Sequence, residues 1–152
     1  MDIPEKMAEF SRLCTQRGLA LTHQRQIIYR ALLETYDHPN PEMVYERVRL
    51  ELPNVSLGTV YKNLKTFLEA GLLREVSVHH EAMRMDANTE PHHHLVCVRC
   101  KSIMDIGVGD LDPVVLRRRL PRGFRLQRVN VEIHGLCAAC ASPASLESSV
   151  EG

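Results

Sequence analysis

The sequence predicts an α+β chain in two parts: a helical N-terminal part that closes on a β-hairpin, and a C-terminal part whose strands carry paired cysteines. Three observations predict it. Apolar residues recur every three or four positions from Met7 to Leu68, the period of amphipathic helices. After Gly71 the pattern shifts to short runs typical of strands. Two Cys-x-x-Cys pairs, Cys97/Cys100 and Cys137/Cys140, then bracket the C-terminal part.

In chain order, Met7, Phe10, Leu13 and Cys14 mark a first helix that Gly18 ends. Thr22 is placed to cap a second, with Ile27, Ile28, Ala31 and Leu32 inward. The turn Asp37-His38-Pro39-Asn40 stops it. Asn40 caps a third helix with Pro41 in its first turn, where the missing N–H costs nothing. Its stripe is Val44, Val48 and Leu52, and Pro53 closes it. Ser56 caps a fourth helix that Gly71 terminates. Val60, Leu64, Phe67 and Leu68 form its buried stripe, and Gly58, Thr59, Tyr61, Lys62 and Lys65 its polar face. Leu73–Val78 and Met83–Met85, joined near His79-His80-Glu81, read as a hairpin.

Residues 87–91 read as a hinge between an N-terminal domain (1–86) and a C-terminal domain (92–141). In the latter, His92–Cys97 and Ser102–Ile106 read as strands, Asp112-Pro113 opens a short helix that Pro121 and Gly123 end, and Phe124–Ile133 reads as a further strand. The Ser-rich tail, 142–152, reads as frayed.

Composition sets the limits. The 152 residues carry 19 Lys+Arg against 19 Asp+Glu, with 44% hydrophobic and 25% charged residues. This excludes collagen and disorder throughout. No apolar run approaches the ~18 residues of a membrane helix. The opening Met-Asp-Ile-Pro-Glu-Lys is not a signal peptide, so a cytoplasmic protein is expected. The zero net charge argues against a generally basic nucleic-acid binder, but it hides local patches. Ser11–Arg30 holds Arg12, Arg17, Arg25 and Arg30 without an acid, and Pro53–Leu68 holds Lys62 and Lys65 without an acid. Residues 117–128 hold six arginines and no acid. Any one patch alone is better read as a solvated face. Two of them fall in the helical part, however. Three helices, a fourth with a polar face and then a hairpin is the winged-helix form of helix-turn-helix. Thr59, Tyr61, Lys62 and Asn63 are then placed to meet phosphates and base edges in the major groove.

Two Cys-x-x-Cys pairs supply four sulfurs to one ion, the closed tetrahedral set of structural zinc. A redox pair would explain one motif but not both. A c-type haem would need His after the second cysteine, where Lys101 and Ala141 stand. Cys14 is assigned to the core. In a strand, His92 and His94 share one face and His93 points away. Asp105 lies on the partner strand, Asp86 at the end of the preceding hairpin, and His38 in the turn after the second helix. Imidazoles and carboxylates without thiolates suit Fe²⁺, Mn²⁺ or Zn²⁺. Spacing alone leaves open whether His38 and Asp86 join them, or whether the His run is only a surface run.

These motifs resemble the ferric uptake regulator (Fur) family of metal-dependent bacterial repressors. The matching pieces are Gly18–Arg25, Ser56–Leu64, Glu69-Ala70-Gly71-Leu72, His92–Cys100 and the final Cys-x-x-Cys, spanning roughly Phe10 to Cys140. The resemblance implies a winged-helix DNA-binding domain and an α/β dimerisation domain with a Cys97/Cys100/Cys137/Cys140 zinc site. It also implies a homodimer on a palindromic double-stranded operator. Expected DNA contacts are Arg25, Ser56, Thr59, Tyr61, Lys62 and Asn63. The peroxide regulator (PerR) branch is the nearest match. It implies a regulatory Fe²⁺ or Mn²⁺ on His38, Asp86, His92, His94 and Asp105, with His38 or His92 oxidised when peroxide meets iron. Iron-sensing members usually carry Glu at the Asp105 position and often have a second sensory site; Pro91 and His93 depart from that pattern. The alternatives are an iron- or zinc-responsive repressor of the same fold and a zinc hydrolase built on His38, His92, His94 and an Asp.

Overall fold

A computed structural model describes residues 2–35, 38–76, 83–111 and 120–143. The chain divides into two compact units, Met1–Thr89 and Glu90–Gly152.

The first unit is α1 (Ile3–Gln16), α2 (His23–Glu34), α3 (Pro41–Val48) and α4 (Leu57–Glu69), followed by β1 (Arg74–Val76) paired antiparallel with β2 (Arg84–Asp86). Three predicted caps form. The side chains of Thr22, Asn40 and Ser56 accept from the backbone N–H of Arg25, Met43 and Thr59, so each helix starts where an oxygen satisfies an orphan donor. The core centres on Phe10, stacked on Tyr29 at 4.0 Å and edge-on to Phe67 at 5.2 Å. Ile28, Val44, Val48, Val60 and Leu64 close around it. Leu68 is only partly buried against this core. α3 stops at Val48, short of Leu52, which sits in the following turn with its N–H on the Val48 carbonyl. Gly71 ends α4 at φ +69°; a Cβ there would lie 2.7 Å from Arg17 Nη1, whose guanidinium bonds the Ala70 carbonyl. The predicted hairpin tip, His79-His80-Glu81, lies outside the described residues.

The second unit holds a three-stranded sheet, order β4-β3-β5. β3 (His92–Cys97) pairs antiparallel with β4 (Ile103–Gly107) and parallel with β5 (Glu132–Gly135). A 3-10 turn, Val108–Asp110, follows β4, and a short α5 (Ala138–Ala141) follows β5. The strand expected over Phe124–Ile133 is corrected: regular pairing begins only at Glu132. The register explains this. His94 sits opposite Glu132, so position 129 falls opposite Pro91, which has no N–H to give a ladder. The helix expected from Asp112-Pro113 and most of the expected frayed tail lie outside the described residues. No helix among the described residues is long and apolar enough to cross a membrane.

Candidate metal centres and nucleic-acid face

Cys97 ends β3, Cys100 follows in a tight turn, and Cys137 and Cys140 flank the start and body of α5. The turn is closed by the Lys101 N–H on the Cys97 carbonyl, with Lys101 itself at φ 63°. The four sulfurs lie within 4.8 Å of one another, and Cys100 Sγ is 3.7 Å from Cys137 Sγ. That distance is far too long for a disulfide. It matches the edge of a ZnS₄ tetrahedron, roughly 3.8 Å for Zn–S bonds of about 2.3 Å. Backbone N–H groups already favour thiolate at one corner. Cys97 is lowered to about 6, first by the Cys100 N–H and then by the Cys137 N–H, which donates to Cys97 Sγ at 3.4 Å. Cys100 is lowered chiefly by its Ser102 hydroxyl partner. Cys140 is pushed up to about 12, first by Cys137 and then by burial and the other sulfurs. Crowded sulfurs resist a fourth negative charge, and a divalent cation among them removes that resistance.

The same sheet carries nitrogen and oxygen donors. Strand alternation puts His92 and His94 on one face, and the register puts Asp105 directly opposite His94. His92 Nε2 lies 3.0 Å from His94 Nε2, and Asp105 Oδ1 lies 3.4 Å and 3.7 Å from the two. His92 Nδ1 donates to the Glu90 carbonyl at 2.8 Å. A carbonyl only accepts, so the proton sits on Nδ1 and the Nε2 lone pair faces the cluster, the orientation a metal ligand needs. His93 faces the other way, where its Nδ1 accepts the Val131 N–H at 3.2 Å. It splices the approach to β5 onto β3.

In the first unit, His38 and Asp86 are both buried, with Nε2 and Oδ2 3.8 Å apart. The Met85 N–H donates to the Pro39 carbonyl at 2.8 Å and brings β2 against the His38 turn. The Asn88 N–H holds Asp86 Oδ1 at 2.8 Å, while Oδ2 faces His38. His38 takes φ 57°, a left-handed conformation that a non-glycine residue adopts at some cost. Each unit thus presents part of an oxygen and nitrogen donor set.

On α4, Ser56, Tyr61, Lys62 and Lys65 are exposed and Thr59 is half-buried. Tyr61 Oη donates to Glu42 Oε1 at 2.8 Å, which raises the phenol above its ordinary value. Sequence reasoning did not single out Glu42. The expectation that Asn63 shares this exposed face is corrected. It is 8% exposed and turned toward α2. Position 63 lies three residues after Val60 and four before Phe67, so helical periodicity carries it to the edge of the buried stripe. Of the basic run over 117–128, Arg122, Arg125 and Arg128 are exposed and the first three arginines lie outside the described residues. Nothing in the structure assigns the run a role.

The model described as the ferric uptake regulator family matches residues 16–134. The peroxide-responsive repressor PerR of Staphylococcus epidermidis is 30% identical over 138 residues, covering 91% of this chain and 92% of that protein. The same protein from Staphylococcus aureus is equally similar, with 93% of it covered. Among solved structures, the Helicobacter pylori ferric uptake regulator Fur superposes with a TM-score of 0.69 at 19% identity, over 93% of this chain and 95% of that one. A zinc uptake regulator complexed with zinc and DNA also reaches 0.69, at 24% identity, over 97% and 99%. At those identities the likeness shows a shared fold.

Proposed function

This chain belongs to the ferric uptake regulator family of metal-responsive transcription regulators, and on that premise we propose that it is a peroxide-responsive, metal-dependent repressor. Membership of a family of regulators sets the hydrolase alternative aside. In this reading Cys97, Cys100, Cys137 and Cys140 hold a structural Zn²⁺. His38, Asp86, His92, His94 and Asp105 serve one regulatory Fe²⁺ or Mn²⁺. The protein acts as a homodimer on a palindromic operator.

The observation that carries this reading is the placement of Asp105 opposite His94 and beside His92 Nε2, a compact set of imidazoles and one short carboxylate without sulfur. Such a set suits Fe²⁺ and Mn²⁺. The similarity of the two staphylococcal peroxide-responsive repressors supports the branch. Ferrous iron held there would activate hydrogen peroxide, so that its O–O bond breaks, one oxygen adds to an imidazole ring carbon in a two-electron oxidation of the ring, and the other oxygen leaves as water. The residues do the rest. His92 is fixed by Glu90 through Nδ1 with its Nε2 toward the cluster, which would hold its ring beside an ion bound there. Addition of one oxygen to His38 or His92 weakens it as a donor and loosens the ligand set. Because the proposed ligands come from both units, ion loss also removes a bias on the DNA-binding unit.

The dimer is supported by β5 forming an edge of the described sheet and by exposed apolar side chains in the same unit. Phe124 is 60% exposed, and Met104, Val108, Leu126 and Ile133 accompany it. Exposed apolar side chains in this number fit a unit that buries surface by association.

The reader is tested by the double variant Tyr61→Ala, Lys62→Ala. Both side chains are exposed on α4, and a side chain that meets DNA is worth about 1–3 kcal/mol. The Mn²⁺-loaded variant is expected to bind an operator selected from random duplex DNA at least ~10-fold more weakly, by fluorescence anisotropy, with zinc and manganese stoichiometry unchanged. Unaltered DNA affinity would contradict the placement of the reader on α4.

A further inference from the structure

Asn63 is buried at the edge of the apolar stripe of α4, directly after the exposed Tyr61 and Lys62, and both ends of its amide are used. Nδ2 donates to the Thr59 carbonyl at 2.9 Å. Oδ1 accepts from Arg25 Nε–H at 3.4 Å. The two bonds fix the amide orientation, because a flip would set oxygen against the Thr59 carbonyl and NH₂ against the Arg25 N–H. Arg25 is also held from the other side, with Nη1 donating to the Ala20 carbonyl at 2.7 Å. The guanidinium is therefore clamped between α4 and the loop that precedes α2.

These two bonds use two of the five N–H groups of a guanidinium. The side chain is half-buried, in a stretch from Ser11 to Arg30 that contains no acid. It projects from the first turn of α2, where the helix dipole favours an anion. A planar fork held in this way is suited to a phosphate oxygen.

We propose that Asn63 is a positioning residue for DNA binding: it reads no base, and it acts by holding Arg25 aimed at the phosphate backbone. This rests on the reading of the first unit as a DNA binder. It also assigns the two residues different roles, although both carry polar groups suited to base contacts. Arg25 supplies sequence-independent attraction, and Asn63 supplies its geometry.

The test uses the full-length, Mn²⁺-loaded protein with two probes: an operator selected from a random duplex library, and a scrambled duplex of equal length. Wild type, Asn63→Ala, Arg25→Ala and the double variant are titrated across a salt series. Alanine is the better helix former, so α4 survives the change; thermal unfolding checks this. Asn63→Ala is expected to weaken both probes by about the same factor. Its log affinity against log salt is expected to flatten by about 0.9 for each phosphate no longer neutralised, so by about 1.8 in a dimer. In the Arg25→Ala background, Asn63→Ala is expected to add nothing. Three results would each overturn the inference: weakening confined to the operator with an unchanged salt slope, additive effects in the double variant, or no effect of Asn63→Ala. Wild type that binds neither duplex would instead overturn the DNA reading itself, and this inference with it.

Discussion

Cys97→Ser is expected to abolish zinc binding and unfold the second unit, leaving the first unit's transition in place. The reason lies in how few buried apolar side chains the second unit's described residues contribute. Among its described residues, the buried apolar side chains are Val96, Cys97 and Ile103, too few to offset the chain entropy of ordering it. The first unit, by contrast, has a continuous core running from Phe10 through Phe67 to Met85. The four sulfurs join the end of β3 to α5 across a 36-residue gap between the pairs. Structural zinc in small domains contributes on the order of 10–16 kcal/mol of folding free energy. Serine oxygen is a poor substitute for thiolate at such a site, and Cys97 is the sulfur that the backbone most favours as thiolate. Metal analysis and a thermal melt followed by circular dichroism check this. A folded, zinc-free variant with an unchanged midpoint would contradict the structural role.

His94→Ala is expected to eliminate metal-dependent DNA binding while leaving zinc and fold intact. His94 faces Asp105 across the β3–β4 ladder and lies 3.0 Å from His92 Nε2, so the substitution removes the middle of the sheet's donor set. Outer partners of metal ligands alone are worth about 10–100-fold in affinity; removal of a ligand is expected to cost at least ~100-fold in Mn²⁺ affinity. Calorimetric titration with Mn²⁺ and anisotropy with the selected operator read the two effects. The neighbouring His93→Ala separates donor chemistry from packing. Its ring accepts the Val131 N–H, so the change is expected to lower the second unit's stability by about 1–3 kcal/mol and to spare Mn²⁺ affinity. If the two variants behaved alike, strand alternation would not be sorting ligands from scaffold.

Much of this was legible because local chemistry and tertiary structure agree. Thr22, Asn40 and Ser56 are cap residues in front of periodic apolar stripes, and each cap forms. Alternation in a strand sufficed to put His92 with His94 and His93 opposite. The cysteine spacing announced four sulfurs for one ion, and the fold gathers them. The failures have equally local causes. Asn63 was expected on the exposed face because it is polar and adjoins Tyr61 and Lys62, but helix rotation carries it inward to Arg25. Phe124–Val131 alternated well enough to suggest a strand, but β3 begins after a proline and offers no ladder there. The Glu42 partner of Tyr61 and the Glu90 carbonyl behind His92 depend on tertiary placement that no spacing rule encodes. The nearness of His38 to Asp86 depends on the Met85–Pro39 backbone bond, again invisible in the sequence. Net charge was the least informative quantity. Equal numbers of acids and bases conceal acid-free segments around Arg25 and Lys62 in the first unit.

The central claim is that peroxide is read through iron at the His and Asp cluster. Its most direct test is peptide mass spectrometry of the protein loaded with Fe²⁺ under anaerobic conditions and then given hydrogen peroxide, with a parallel sample loaded with Mn²⁺ and operator binding followed in both. The account predicts a gain of about 16 Da, one oxygen, on the peptide bearing His38 or the one bearing His92, together with release of the operator, in the iron sample alone. Unmodified His38 and His92 peptides in the iron sample, with operator binding retained, would contradict it and leave a repressor that responds to metal supply.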